Sequence, residues 1–553
     1  MVSYGRPNVS FEEVDKTTII SDSGGRVAGV ALLATWGPLE KVLLVPDVDT
    51  LHSYFGKPNL LNNEYYLNVQ SILYYTNVVK VVRIATGHLN ATSDGNGLLI
   101  KNREHYDSSF EAGQASVGAF TARYPGKKGN SLKVSVCSAN STAFSAWAYK
   151  DLFPKVPSTS THASERGGSL DQIHVVVVDV NGEFSSSRNT VLEKWENLSL
   201  ASDAKSDDGS VSYYKEVINS QSNYIYWTDH DALLTNAGQE ASGTTFVTVT
   251  TPITITLAGG ASDDAPTVTE IQTAYDIFAN NTSESIYVLT APPLPAGSEG
   301  LTLANYLLGI GSARKDCLVA LSPPTVSVSN VSNATAFTAV TTFLDGLNSS
   351  KEGVSVTTSV KMVDAVNSKS KWVTSAGHLA GLLVSTPQAF DSPGGIESGA
   401  FRRVSEISFK PTLAQQDTIY NSRGNPVVAE SGSGIFMNGD KTLYSPNTLF
   451  RKIDVRGLMI VLEKVITAYS KALLFKKNNA STASLFKIQV DSFLESVKTA
   501  EGISDFRVTT PVSTDPSTFL GDIYIKPITS INYVNLRFIA TPTNVSFDEI
   551  VQA

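Results

Sequence analysis

Short apolar runs alternate with helical stretches in two separated blocks of this chain, 21–90 and 266–385, and the residues between them follow a different rule. The first block carries VAGVALLAT, KVLLVP and VVKVVRIAT around a helical NNEYYLNVQSILYYT. The second carries SIYVLTAP and CLVALSPP with the helix-like TEIQTAYDIFANN and TAFTAVTTFLDGL. Apolar runs of strand length alternating with helical periodicity predict an α/β or α+β unit. Residues 91–265 instead show frequent turns between β-branched runs: ARYPGKKGNSLKVSV, a Ser/Thr/Gly linker PSTSTHASERGGS, IHVVVVDVNGEF and the Thr-rich FVTVTTPITITLAGG. That composition predicts a β-rich insertion. The two blocks then form one middle α/β domain, interrupted. At 553 residues the chain exceeds the size at which one core stops growing, so three or more domains are expected.

DSPGG at 391–395 marks a further boundary, and two helices follow it. In the first, Leu458, Leu462, Val465, Tyr469 and Ala472 fall on one stripe, with Glu463, Lys464, Thr467 and Lys471 opposite. In the second, Phe486, Val490, Phe493, Leu494 and Val497 form the apolar face, and Gly502 stands where the helix should stop. The pair is expected to cover a sheet built partly from DIYIKP and INYVNLRFIA. Pro542 interrupts the last of these, because proline cannot donate to a ladder. Beyond it lies NVSFDEI, residues 544–550, which nearly repeats NVSFEEV at 8–14. Both read as short amphipathic strands without a local partner. Such strands draw on few residue types, so the repeat has two readings, shared work or coincidence. The fold class is therefore α+β and multidomain, with boundaries at 1–20 (N-terminal extended arm), 21–90 with 266–385 (middle α/β domain), 91–265 (β-rich inserted outer domain), 386–535 (mixed sheet-and-helix C-terminal core domain) and 536–553 (C-terminal extended arm).

Only 17% of the residues are charged, against roughly 25% in an average soluble protein, which suggests a surface largely covered by partners. A net charge of -9 offers no general attraction to nucleic acid or anionic membrane. Cys137 and Cys317 sit in apolar contexts without a CxxC, so buried reduced thiols are favoured over a disulfide. No signal-peptide h-region or membrane-length apolar run is present, and folding in a cytosol is expected. GIFMNGDKT at 434–442 resembles a phosphate-binding loop but places Asp440 between Gly439 and Lys441, where its charge would repel phosphate. A hairpin turn centred on Asn438-Gly439 is the simpler expectation. Asp229-His230-Asp231 cannot converge on one metal, because consecutive side chains diverge, and a solvated loop is expected. GxSxG, HExxH and GxGxxG are all missing, so no catalytic, metal or cofactor residues are assigned and an enzyme is not expected.

From FRRVSEISFKPTLAQQDTIYNSRGNPVVAESGSGIFMNGDKTLYSPNTLFRKIDVRGLMIVLEKVITAYSKALLF and GDIYIKPITSINYVNLRFIATPTNVSFDEIV, the chain closely resembles the tail sheath proteins of contractile-tailed bacteriophages. GVALLATWGPLEKVLLVPDVDTLHSYFGKPN, ARYPGKKGNSLKVSV and IHVVVVDVNGEF through VLEKWENLSL extend the resemblance over most of the chain. It implies a structural virion protein that forms hexameric rings, stacked helically around an inner tail tube protein. It also implies contraction from a metastable extended state to drive the tube through the host envelope. Baseplate and tail terminator proteins are the other implied partners. The resemblance further implies that both arms complete a sheet in neighbouring copies, with Val9, Phe11, Val545 and Phe547 facing the recipient core and Glu12 and Asp548 staying wet. Arg451, Lys452, Arg456, Lys464 and Lys471, with Lys476 and Lys477, form a candidate tube-facing basic surface; a solvated helix face is the alternative. Relatives usually place a second Arg after the position of Arg456, where this chain has Gly457, which puts that contact in doubt. The sheath of a headless contractile particle would differ in genomic context and not in residues.

Overall fold

In the computed structural model, residues 25–532 are described, apart from 264, 512 and 516. They divide into two compact units, one containing the described residues through Thr386 together with Pro393–Arg451, the other Pro387–Ser392 with the described residues from Lys452 onward.

The first unit is organised by a six-stranded sheet in the order Gly353–Ser355, Leu318–Leu321, Val288–Thr290, Ala28–Leu32, Val79–Arg83, Val42–Val45. The first five run parallel, and Val42–Val45 closes one edge antiparallel to Val79–Arg83. Parallel strands need crossovers that cover both faces, which is why Ala28–Leu32 is buried along its whole length. The helices Val268–Asp276 and Gly297–Arg314 meet the face that presents Gly29, Ala31, Leu289 and Val319. Asn63–Leu73 and Ala376–Ser385 pack on each other and on the opposite face. Local signals set the helix starts: Thr267 and Glu270 form a reciprocal capping box, and Asp47 caps Val48–Phe55 through Thr50 N at 2.7 Å.

Between Arg83 and Val288 the chain leaves this sheet and builds others. Thr190–Ser199, Gln172–Asp179, Leu132–Ser138 and Ile253–Thr256 form an antiparallel four-stranded sheet in that order, and Phe120–Ala122 pairs with Ile225–Trp227. The run of four valines shows why both sheet faces are apolar: Val175 and Val177 enter one core with Trp36 and Trp227, whereas Val176 and Val178 pack with Cys137, Trp147 and Phe153. Both cysteines are buried and form no disulfide among the described residues. The Thr-rich run contributes only Ile253–Thr256 as a strand, and the Ser/Thr/Gly linker holds a short helix, Thr161–Glu165, capped by Ser160. Asp179 fixes the next loop: its carboxylate accepts from Ser131 Oγ, from the N–H groups of Gly182, Glu183, Phe184 and Ser185, and from Ser185 Oγ.

Residues 393–451 are tied to the first unit. Glu406–Ile407 pairs with Ser359–Asp364, Asn425 N donates to Ser355 O at 3.0 Å, and Leu443 N donates to Gly353 O at 2.8 Å. The DSPGG boundary therefore coexists with a division into compact units at 451/452. The hairpin expected at Asn438-Gly439 lies earlier. Val427–Glu430 pairs with Gly434–Met437 around Ser431-Gly432-Ser433, where Gly432 and Gly434 take positive φ. Asp440 turns inward to accept from Tyr420 Oη at 2.8 Å.

The second unit packs Ile453–Lys471 and Ala480–Thr499 with the hairpin of Ile503–Thr509 and Asp522–Pro527. Leu458, Leu462, Phe486, Val490, Leu494, Val497, Ile503 and Val508 are its buried core. The second helix ends at Thr499, and its left-handed stop falls one residue before the expected glycine. Glu501 takes the left-handed conformation (φ 62°), and Gly502 N returns to Val497 O at 3.0 Å in a Schellman arrangement. Gly502 is required for another reason: a Cβ there would approach Val497 and Phe390 at 2.9 and 3.2 Å.

Two buried imidazoles give the first unit a predictable acid response. His378 is stacked on Phe401 with ring centroids 5.2 Å apart, and His88 accepts from Thr86 N at 2.6 Å. Burial pushes both down to about 3, helped at His88 by the charge of Arg83. The folded chain thus keeps them neutral while an unfolded chain protonates them near 6.5. Stability is intact above that value and falls as pH drops from about 6.5 towards 3. Urea melts at pH 7.5 and 5 should show a lower midpoint at pH 5, and equal midpoints would refute it.

Candidate assembly surface

The helix Ile453–Lys471 carries the charged residues singled out above, and the fold separates them. Lys464 is half-buried and Lys471 exposed. Lys452 turns back on the chain, donating to Ser530 O at 3.0 Å and to Asn532 Oδ1. Beside it Asp454, 1% exposed, accepts from Ser530 N at 3.0 Å, so this corner clamps the chain where it leaves the hairpin. Arg456 departs from the expectation of a surface cation: it is fully buried and lies 3.4 Å from Glu463 Oε1. A guanidinium out of water must be held by acceptors, and Glu463 is one turn-pair further along the same helix. Arg451 belongs to the first unit, where its guanidinium reaches Asn447 Oδ1 at 3.4 Å. The exposed cations thus reduce to Lys471 and, after the helix, Lys476 and Lys477.

The hairpin offers a second feature. Ile523 and Ile525 turn inward while Tyr524 and Lys526 point to solvent. Among the described residues neither strand has a second partner, and most of INYVNLRFIA, expected to join this sheet, lies outside them. Two strands alone are marginal in water, and open edges are templates for further strands. Val9, Phe11, Val545 and Phe547, predicted to supply such strands, lie outside the described residues.

Chemistry of other kinds is not assembled at the motifs weighed above. His230 Nδ1 lies 2.6 Å from Tyr214 Oη and its ring packs on Trp227, a half-buried structural contact and not a solvated loop. Among the described residues, no group of three His, Cys, Asp or Glu side chains could hold a metal, and no helix is long and apolar enough to cross a membrane.

Comparison with known proteins bears on this geometry. Residues 445–541 match the family model of the phage tail sheath C-terminal domain. The tail sheath protein of Enterobacteria phage T4 is 29% identical over 82% of this chain and 70% of its own length. That of Salmonella phage ViI is 23% identical over 98% and 97%. A sheath tail protein of Listeria innocua shares the fold, with a TM-score of 0.56 over 92% of each chain at 11% identity. The family model covers the C-terminal region and the relatives extend the likeness over most of the chain: the similarity is to the tail sheath proteins of contractile-tailed bacteriophages, and it supports a structural role in the contractile sheath.

Proposed function

We propose that this chain polymerises into a helical stack of hexameric rings around an inner tail tube, and that its arms, residues 1–20 and 536–553, add strands to the open hairpin edges of neighbouring copies. The single observation that carries this reading is the second unit's two-stranded sheet with both edges unpaired among the described residues. Strand addition takes its affinity from main-chain hydrogen bonds and its register from alternating side chains. A head-to-tail contact of this kind does not close on itself, so it generates an open helix.

Contraction follows as a change of packing. Subunits assemble into a metastable extended lattice, held by a kinetic barrier, and relax to a shorter and wider one when the baseplate releases it. The arms keep rings connected while the bodies slide. Residues 386–535 act as the sheath core domain, 21–90 with 266–385 as the middle domain, and 91–265 as the outer domain, where insertions least disturb a lattice. Lys471 and its neighbours meet an acidic tube surface. Assembly takes place in the host cytoplasm, with a tail terminator capping the stack.

Negative-stain microscopy of the purified chain, with and without tube protein, tests this at low and high salt. Striated tubes are expected, with fewer enclosing the tube protein as salt screens the lysines. Stable monomers under all conditions would overturn the proposal.

A further inference from the structure

A cavity of about 650 Å³ lies within the first unit, and none of the side chains named for the sheath role lines it. Segments far apart in sequence line it: the turn at Trp36, the end of the Val48–Phe55 helix, Tyr124 with Lys128, Phe184, and Tyr224. Its size is that of a small-molecule site. Its walls are aromatic. Trp36 meets Tyr124 and Phe184 edge-on at 5.3 and 4.9 Å, and Phe184 meets Tyr224 edge-on at 5.2 Å. The Asp179 carboxylate holds the loop that presents Phe184, accepting its N–H at 2.8 Å, so this wall is built and not incidental.

The charges are one-sided. Lys41, Lys57, Arg103 and Lys128 line the cavity, and among the described residues no carboxylate does. Lys41 and Arg103 are neutralised by Glu104 and Asp107. Lys57 donates to Ser186 Oγ at 3.1 Å. Lys128 is the exception. Its residue is only 8% exposed, yet among the described residues its ammonium has no hydrogen-bond or ion-pair partner. It lies 5.0 Å from the centre of the Phe184 ring. Asp179, whose charge reaches Lys128, spends its oxygens on the loop amides, and Glu183 stands on the exposed side. Space beside the ammonium is kept by Gly56, where φ is 78° and a Cβ would come within 2.8 Å of Lys128 Nζ. Burial lowers the pKa of Lys128, a cost that an anion in the cavity would remove.

We propose that this cavity binds a small ligand that joins a carboxylate or phosphate to a ring able to pack on an aromatic face, the anion on Lys128 and the ring against the walls formed by Trp36, Phe184 and Tyr224. Ammonium–anion hydrogen bonds are the stronger class, and aromatic faces accept both sugar rings and nucleobases. An acidic sugar and a nucleotide share this chemistry, and the test separates them.

Tryptophan fluorescence and calorimetry on the full chain would be followed with glucuronate, AMP, glucose, adenosine and inorganic phosphate. Saturable binding of glucuronate or of AMP is expected, whichever source the site serves, with the uncharged glucose or adenosine and the ringless phosphate at least tenfold weaker. Lys128→Met should weaken the bound probe about tenfold, as loss of one charge-assisted hydrogen bond does, while leaving the melting temperature unchanged or higher, because it removes an unpaired buried charge. Lys57→Met, at the exposed rim, should weaken it several-fold without touching the core. Absence of binding by both glucuronate and AMP, equal binding by the uncharged or ringless probes, or affinities unmoved by both substitutions would each overturn the assignment.

Discussion

Deleting residues 1–14 is expected to abolish sheath tubes while leaving a folded chain. Every described element, from Ala28–Leu32 to Asp522–Pro527, lies outside the deleted segment, so the secondary structure seen by circular dichroism should be nearly unchanged. The effect falls on the joint. A five-residue strand added to one open edge makes about four main-chain hydrogen bonds, each contributing roughly 0.5–1.5 kcal/mol net. Loss of one arm then removes several kcal/mol per connection, enough to shift association by about a thousandfold. Because a lattice needs every ring connected to the next, the loss is multiplied along the tube. Electron microscopy and sedimentation of the truncated chain check it. Tubes of normal length that still contract would end the case for connecting arms.

Much of the body was legible because burial leaves a trace in sequence. Continuous apolar runs such as VAGVALLAT and CLVALSPP mark strands covered on both faces, and the 3.6-residue stripe from Leu458 to Tyr469 marks a helix with one face in a core. The helix Gly297–Arg314 escaped that reading, since its sequence carries Gly297, Gly300, Gly309 and Gly311 and glycine weakens a helix intrinsically. Packing is the reason two of these are there: a Cβ at Gly300 would strike Pro295 O at 2.0 Å, and one at Gly311 would strike Val319 at 2.5 Å. Tertiary context overrides propensity, and periodicity alone cannot show it. The same holds for Gly502, which reads as a helix stop although Glu501 takes the left-handed turn.

The functional surface was less legible than the fold. Arg456 sits in a basic stretch and reads as surface charge, yet its position on the helix turns it inward to Glu463. Charge identifies what a residue can do, whereas burial decides whether it can do it to a partner. The hairpin edges, unpaired among the described residues, had no sequence signal either, because an edge is defined by the strand that is not beside it. The cavity at Lys128 is assembled from six segments spanning residues 36 to 224, none with a local motif. Family resemblance supplied what residue patterns did not, the expectation that the two similar tips are shared between copies.

Leu494→Ala should unfold the second unit and leave the first intact. Leu494 is fully buried in a core of eight such residues, between the helix Ala480–Thr499 and the hairpin. Truncating a buried leucine costs about 2–5 kcal/mol through lost transfer energy and the cavity left behind. Whole domains hold only about 5–15 kcal/mol, and a small core sits towards the lower end. The first unit keeps its own, larger cores. All five tryptophans, Trp36, Trp147, Trp195, Trp227 and Trp372, lie in that first unit, which makes the two responses separable. In urea, tryptophan fluorescence should report an unchanged midpoint, while helical ellipticity from Ile453–Lys471 and Ala480–Thr499 is lost at much lower denaturant. With the hairpin gone, the edges proposed to receive strands are gone as well, so the variant should form no tubes at any concentration that supports them in the parent chain. A joint shift of both signals would mean that the two units unfold as one, and normal tubes would mean that strand addition does not use this hairpin.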